Sequence, residues 1–113
     1  MSSQTYILAD KPLTFDPKRT NERLIHGFDF KQVMASNETI VSGSWAVFAV
    51  RPTTASTSGM VVGSAVFSGT RCTQMIGGGD NGALYSVVCT VDTDLGQQIS
   101  ENALLLVTDS AYK

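Results

Sequence analysis

Residues 85–92, Tyr85-Ser86-Val87-Val88-Cys89-Thr90-Val91-Asp92, carry the clearest alternation in the chain. Tyr85, Val87, Cys89 and Val91 share one side; Ser86, Thr90 and Asp92 share the other. Successive side chains of a strand point to opposite faces, so this run predicts a half-buried strand with the first four residues inward. Asp94-Leu95-Gly96 supplies a hairpin turn, and Gln97 to Val107 is the returning strand, with Ile99, Ala103, Leu105 and Val107 in phase. Glu101 breaks that phase, which predicts an edge or a bulge there.

The same period recurs upstream. Arg71-Cys72-Thr73-Gln74-Met75-Ile76 reads as a strand, as does Met60 to Phe67, with Gly63 a weak point. Thr39 to Val50 is β-branched and aromatic, Gly43 marks a candidate bulge, and Pro52 ends the strand before a small-polar loop over 53–59. Between Gly27 and Met34, Phe28, Phe30 and Met34 fall on one face and Asp29 and Lys31 on the other; a turn follows at Ala35-Ser36-Asn37-Glu38. Six or seven short strands, a turn signal every ten residues or so and no helical period predict an all-β sandwich or small barrel. Residues 1–23 differ: after Tyr6-Ile7-Leu8 they carry Pro12, Pro17 and no sustained period. The expected organisation is an extended N-terminal arm over 1–23 and a β-sandwich domain over 24–113.

A chain of 113 residues fits one domain. Its charged share of 16% is low against an average of about 25%. That leaves a Ser/Thr-rich surface suited to an assembled state. A net charge of −2 offers little to neutralise phosphates, so nucleic acid is not an expected partner. Lys18, Arg19 and Arg23 are interrupted by Glu22 and flanked by Asp16, and read as a solvated charged segment. No apolar stretch approaches the ~20 residues a membrane span needs, and Met-Ser-Ser-Gln-Thr is not a secretory signal. The expectation is therefore a protein that folds in the cytoplasm, with Cys72 and Cys89 as buried free thiols.

Catalysis needs converging groups, and the chain has one histidine, His26, with no visible nucleophile beside it. It reads as a surface or hydrogen-bonded structural residue. One histidine and two separated cysteines give no zinc-ligand spacing. The loop Gly77-Gly78-Gly79-Asp80-Asn81-Gly82 is followed by a strand, not a helix, so it reads as a connection and not a phosphate cradle. Asp80, Asp92 and Asp94 lack the spacing of a calcium loop. No enzyme activity, cofactor or metal is expected. Tyr85 opens the best strand; in immunoglobulin-like sandwiches a tyrosine so placed bonds back to the preceding corner, although there it precedes the cysteine by two residues and here by four. Phe28, Phe30, Trp45, Tyr85 and Cys89 are the expected structural core.

Several segments together resemble a known family. They are Phe28-Asp29-Phe30; Glu38-Thr39-Ile40 leading into Ser44-Trp45-Ala46-Val47; Met75-Ile76-Gly77-Gly78-Gly79; Gly82-Ala83-Leu84-Tyr85-Ser86-Val87; and Thr93-Asp94-Leu95-Gly96-Gln97. Over residues 28–107 this is similar to the small phage tail proteins described as fibre–tail adaptors. Phe30 stands where that family usually has tryptophan, Glu38 replaces aspartate, and the glycine loop is one residue longer. The resemblance implies an immunoglobulin-like virion protein, present as a homo-oligomeric ring, that joins the tail tube, adaptor ring or baseplate to fibres or neighbouring tail proteins. Tyr6, Ile7 and Leu8 are then candidates for strand addition onto a neighbouring subunit. The alternatives are a head-surface decoration protein, or a free-standing binding module for protein or carbohydrate; a carbohydrate site would want exposed aromatics, and most here fall at expected core positions.

Overall fold

Inward-facing residues at every second position need a second layer to cover them, and the computed structural model, which describes residues 4–8 and 14–110, supplies one. Six strands form two antiparallel sheets of three: β2 (Leu24–Asp29), β5 (Arg71–Ile76) and β4 (Val61–Ser68) in the order β2-β5-β4, and β3 (Ile40–Arg51), β6 (Ala83–Thr93) and β7 (Gln98–Val107) in the order β3-β6-β7. A short strand, β1 (Gln4–Leu8), lies parallel on the free edge of β2. The only helical piece among the described residues is a single 3-10 turn, Lys31–Val33.

β6 is the centre of its sheet, and Tyr85, Val87, Cys89 and Val91 are fully buried along it. Ala103, Leu105 and Val107 of β7 lie beside them, with Ile99 half-buried where that strand begins. The facing sheet contributes Phe28, Cys72 and Ile76. Glu101 pairs with Cys89, as its phase requires, but on a strand with no third neighbour in its sheet.

Two local readings change. The strand expected through Met34 stops at Asp29, because Asp29 Oδ1 accepts the Lys31 N–H (3.0 Å) and turns the chain. Phe30 remains buried, its N–H bonded to the Thr70 carbonyl at 2.8 Å. Gly43 is regularly paired with Val91, and the register shift lies just before it, between Ile40 and Ser42. Its bare α-carbon serves a close approach instead: a Cβ there would stand 2.6 Å from Cys72 Sγ. Gly63 does sit at an irregularity, with φ +74 inside the shift between Val62 and Val66, and Gln74 Nε2 secures it by donating to the Val62 carbonyl at 2.7 Å.

Residues 14–23, within the segment expected to be an arm, pack on the sandwich. The Phe15 N–H bonds the Leu104 carbonyl (2.9 Å), the Lys18 N–H bonds that of Leu106 (3.0 Å), and Thr108 N–H returns to Lys18 O (2.8 Å). This stretch runs parallel to β7, bridging Leu104 and Val107. The Phe15 ring then enters the core beside Phe28, and meets the His26 ring edge-on at 4.7 Å. Lys18, read from sequence as solvated, is fully buried. Its ammonium donates to the Arg19 carbonyl (2.7 Å) and the Gly78 carbonyl (2.6 Å), so the charge keeps hydrogen bonds after losing water. His26 is buried too, with Nδ1 3.0 Å from the Leu24 carbonyl. Burial, with some help from the Lys18 charge, lowers its pKa to about 4 against the opposing pull of Leu24 and Asp16.

Tyr85 fastens the far end. Its hydroxyl accepts the Asp80 N–H (2.8 Å) and donates to the Ser56 carbonyl (2.8 Å), joining the loop before β6 to the loop after β3. Tyr85→Phe leaves both backbone groups short of a partner, and a loss of about 1–3 kcal/mol in urea unfolding is the expected result; an unchanged midpoint would show that water replaces the hydroxyl. His26 gives a pH dependence of defined sign. Its folded pKa lies below the unfolded value, so the unfolded chain binds the extra proton and stability falls as pH drops through the window from 6.5 to about 4. Between pH 7.5 and 5 wild type should lose about 2 kcal/mol more than His26→Phe; parallel curves for the two proteins would remove His26 as the cause.

Candidate functional site

The described residues offer surfaces for contact and little for chemistry. A hollow of about 960 Å³, open to solvent, lies at one end of the sandwich between the 30–36 turn and the β4–β5 hairpin. Asp29 is its one buried charge. Oδ1 accepts from Thr70 Oγ1 (2.8 Å) and Lys31 N–H (3.0 Å), and Oδ2 faces Arg71 Nε at 3.3 Å. Burial alone would raise the Asp29 pKa, but these three donors outweigh it and hold the carboxyl below its ordinary value. Its oxygens are thus spent on shaping the turn. Among the described residues no group of three or more His, Cys, Asp or Glu is placed to hold a metal ion.

Cys72 and Cys89 are free thiols that meet across the two sheets. Trp45 Nε1 donates to Cys72 Sγ at 3.3 Å. The Cys89 thiol also bonds Cys72, which lowers the Cys72 pKa against the effect of burial; donating that bond, together with burial, pushes Cys89 up. Both sulfurs are buried, which keeps them from outside reagents. Of the other expected core residues, Phe28, Phe30 and Tyr85 are fully buried and Trp45 is 9% exposed. Tyr6, Ile7 and Leu8 fall within β1, where their backbones pair with Gly27, Phe28 and Asp29 of the same chain.

The segments that carry the family resemblance meet in space as fasteners. Glu38 is buried: Oε1 accepts the Ala35 N–H (2.9 Å), Oε2 accepts from Thr93 Oγ1, and Gln97 Nε2 reaches Oε2 at 3.0 Å. Beside it Asp94 Oδ1 accepts the Thr39 N–H at 3.0 Å, and the Asp94 N–H returns to the Thr39 carbonyl at 3.0 Å. The Glu38-Thr39-Ile40 turn and the Thr93-Asp94-Leu95-Gly96-Gln97 hairpin therefore form one hydrogen-bonded end of the sandwich. A carboxylate two residues before a β-branched strand, and a threonine opening a hairpin, were the signals for this pairing.

What sequence reasoning missed is a flank. β3 and β4 are the edge strands on one side, adjacent but not hydrogen-bonded to each other. Val61 and Phe67 pair with the buried residues Ile76 and Cys72, so their position points them at the core, yet they remain 37% and 41% exposed. Val41, Phe48, Val50 and Val66 are exposed on the same two strands. No period announces such a side, because which strands become edges is a property of the topology.

Comparison with known proteins agrees with a contact role. No curated protein matches the chain. A family model described as podophage GP4 fiber-tail adaptor protein gp77 matches residues 18–106, from the buried lysine to the penultimate residue of β7. The readings as a head decoration or a free-standing module are thereby set aside, and the chain belongs to the podophage fibre–tail adaptor family: a structural protein of the virion tail, not an enzyme, that links fibres to the tail.

Proposed function

We propose that the protein does this work as an immunoglobulin-like domain in a homo-oligomeric ring, seated between the tail tube, adaptor ring or baseplate and the fibres, with its N-terminal segment at the joint between copies. The fold part of this reading is supported by strand order. Labelling the strands A to G in sequence turns β1-β2-β5-β4 into ABED and β3-β6-β7 into CFG, the arrangement of a constant-type immunoglobulin domain. Trp45 on the third strand and the Tyr85 hydroxyl turned back on its corner occupy the corresponding roles. Two departures accompany them: β1 runs parallel to β2, and the cysteine facing Cys89 is on the fifth strand, not the second.

The observation that carries the joint is β1 itself. Gln4–Leu8 is an edge strand set on the body of the domain with no strand beyond it among the described residues. Residues 14–23 are anchored by Phe15, Lys18 and Thr20, the last donating through its N–H to Asp109 Oδ1 at 3.0 Å. Division of labour follows: 24–113 is the body, 1–23 the arm, and the anchored half of the arm fixes where Tyr6-Ile7-Leu8 is presented. An edge strand offers unpaired N–H and C=O groups, and a second strand can add there without new side-chain chemistry.

Low charge supports self-assembly, since copies with a net charge of −2 repel one another weakly. The test compares the full chain with a variant lacking residues 2–12. Size-exclusion chromatography and electron microscopy should find ring-shaped particles for the full chain and monomers for the truncated one. Rings formed equally by both would refute a joining role for the arm, and a full chain that stays monomeric at all concentrations would refute the ring.

A further inference from the structure

We propose that the flank formed by β4 and β3 is the surface that receives a second copy of this chain, with β4 pairing the β1 edge of its neighbour. The inference rests on the ring reading above and assigns the two sides of the contact.

Three observations choose this flank. First, the described residues seal the sandwich on one side only. There β1 extends the sheet of β2, residues 14–18 run along β7, and Phe15 fills the space between. On the other side the inward-phase residues Val61 and Phe67 stay more than a third exposed, which is the exposure expected of a core that lacks its last covering layer. Second, between Glu38 and Arg71 the only charged residue is Arg51. Edge strands that must avoid partners carry lysines, prolines or inward charges; neither β3 nor β4 contains a lysine, proline or acidic residue, and Val66, the most exposed apolar residue of β4, is a strand former. A face without charge sets no sign on its partner and suits a partner as weakly charged as the chain itself.

Third, the geometry closes. β1 and β4 are the two ends of one sheet, in the order β1-β2-β5-β4. Joining the β4 end of one copy to the β1 end of the next uses two different patches, so the contact is head-to-tail and generates a ring when its rotation closes. The area suffices. The 12 residues of β3 make a strip about 40 Å long. Two edge strands from layers about 10 Å apart, with their side chains, widen that strip to roughly 20 Å, or on the order of 800 Å² per partner, the size of an ordinary stable interface.

Val66 is 65% exposed, so Val66→Lys should leave the urea midpoint unchanged while placing a charge on the flank. By sedimentation velocity the assembly constant of this variant should fall at least tenfold, and that of Phe48→Lys, on the outer face of the edge strand β3, should fall in the same direction. A second measurement does not depend on a charge. Thr5→Cys combined with Ser64→Cys places one thiol on β1 and one on β4, and mild oxidation should give a ladder of covalently linked copies, whereas each single variant stops at dimers. If wild type forms rings but both lysine variants assemble normally and no ladder forms, the flank assignment is overturned and the ring reading stands. A wild-type chain that never assembles overturns both. Loss of assembly on deleting residues 2–12 with no effect of Val66→Lys also overturns the flank, because the arm would then dock elsewhere.

Discussion

A two-layer sandwich must do something about its flanks. The faces of the two sheets cover each other, but along each side the core is bounded only by the last strand of each layer, and inward side chains there are half covered at best. In this chain one flank is closed from within: Phe15 is driven between β2 and β7, and the backbone of residues 14–18 continues the β7 side. Burying that phenylalanine is worth about 2–3 kcal/mol, and it can happen only if the polar residues around it are also satisfied. The Lys18 ammonium meets two carbonyls and the His26 ring meets the Leu24 carbonyl, which meets that condition.

The same requirement explains why the family's short motifs are not a binding site in the usual sense. Glu38 with Thr93 and Gln97, Asp94 with Thr39, and the Tyr85 hydroxyl with Ser56 and Asp80 all consume their hydrogen-bonding capacity inside the domain. Each ties an end of the β3-β6-β7 sheet to a loop that crosses between the two sheets. The Glu38 side chain is long enough to serve as a buried acceptor for Ala35, Thr93 and Gln97 together. These residues hold the two ends of the sandwich together.

The strands were legible because their period is local. From Tyr85 to Asp92 only Val88 departs from the alternation of apolar and polar residues, and residues two apart on a strand share a face whatever the tertiary structure. Cues of other kinds were less complete. The end of β2 at Asp29 turned on one carboxylate capturing a backbone N–H two residues on, against an alternation that continued to Met34. Phe15 and Lys18 lacked any period, since a segment that crosses a sheet edge once buries single residues and leaves no repeating mark. Lys18 also misled by chemistry: a lysine beside an arginine reads as solvated, and one of the carbonyls that holds it buried, that of Gly78, lies sixty residues away in sequence. Topology hid the flank, as β3 and β4 read in sequence like any interior strand.

The parallel course of the N-terminal segment has a mechanical meaning. β1 runs parallel to β2, and residues 14–18 run parallel to β7. A pull along the chain from its N-terminal end therefore acts along these strands, not across them. Hydrogen bonds loaded in that direction share the force and must break together, whereas those of a hairpin peeled from its end break one after another. A segment attached this way bears tension along its length better than it resists being pried sideways.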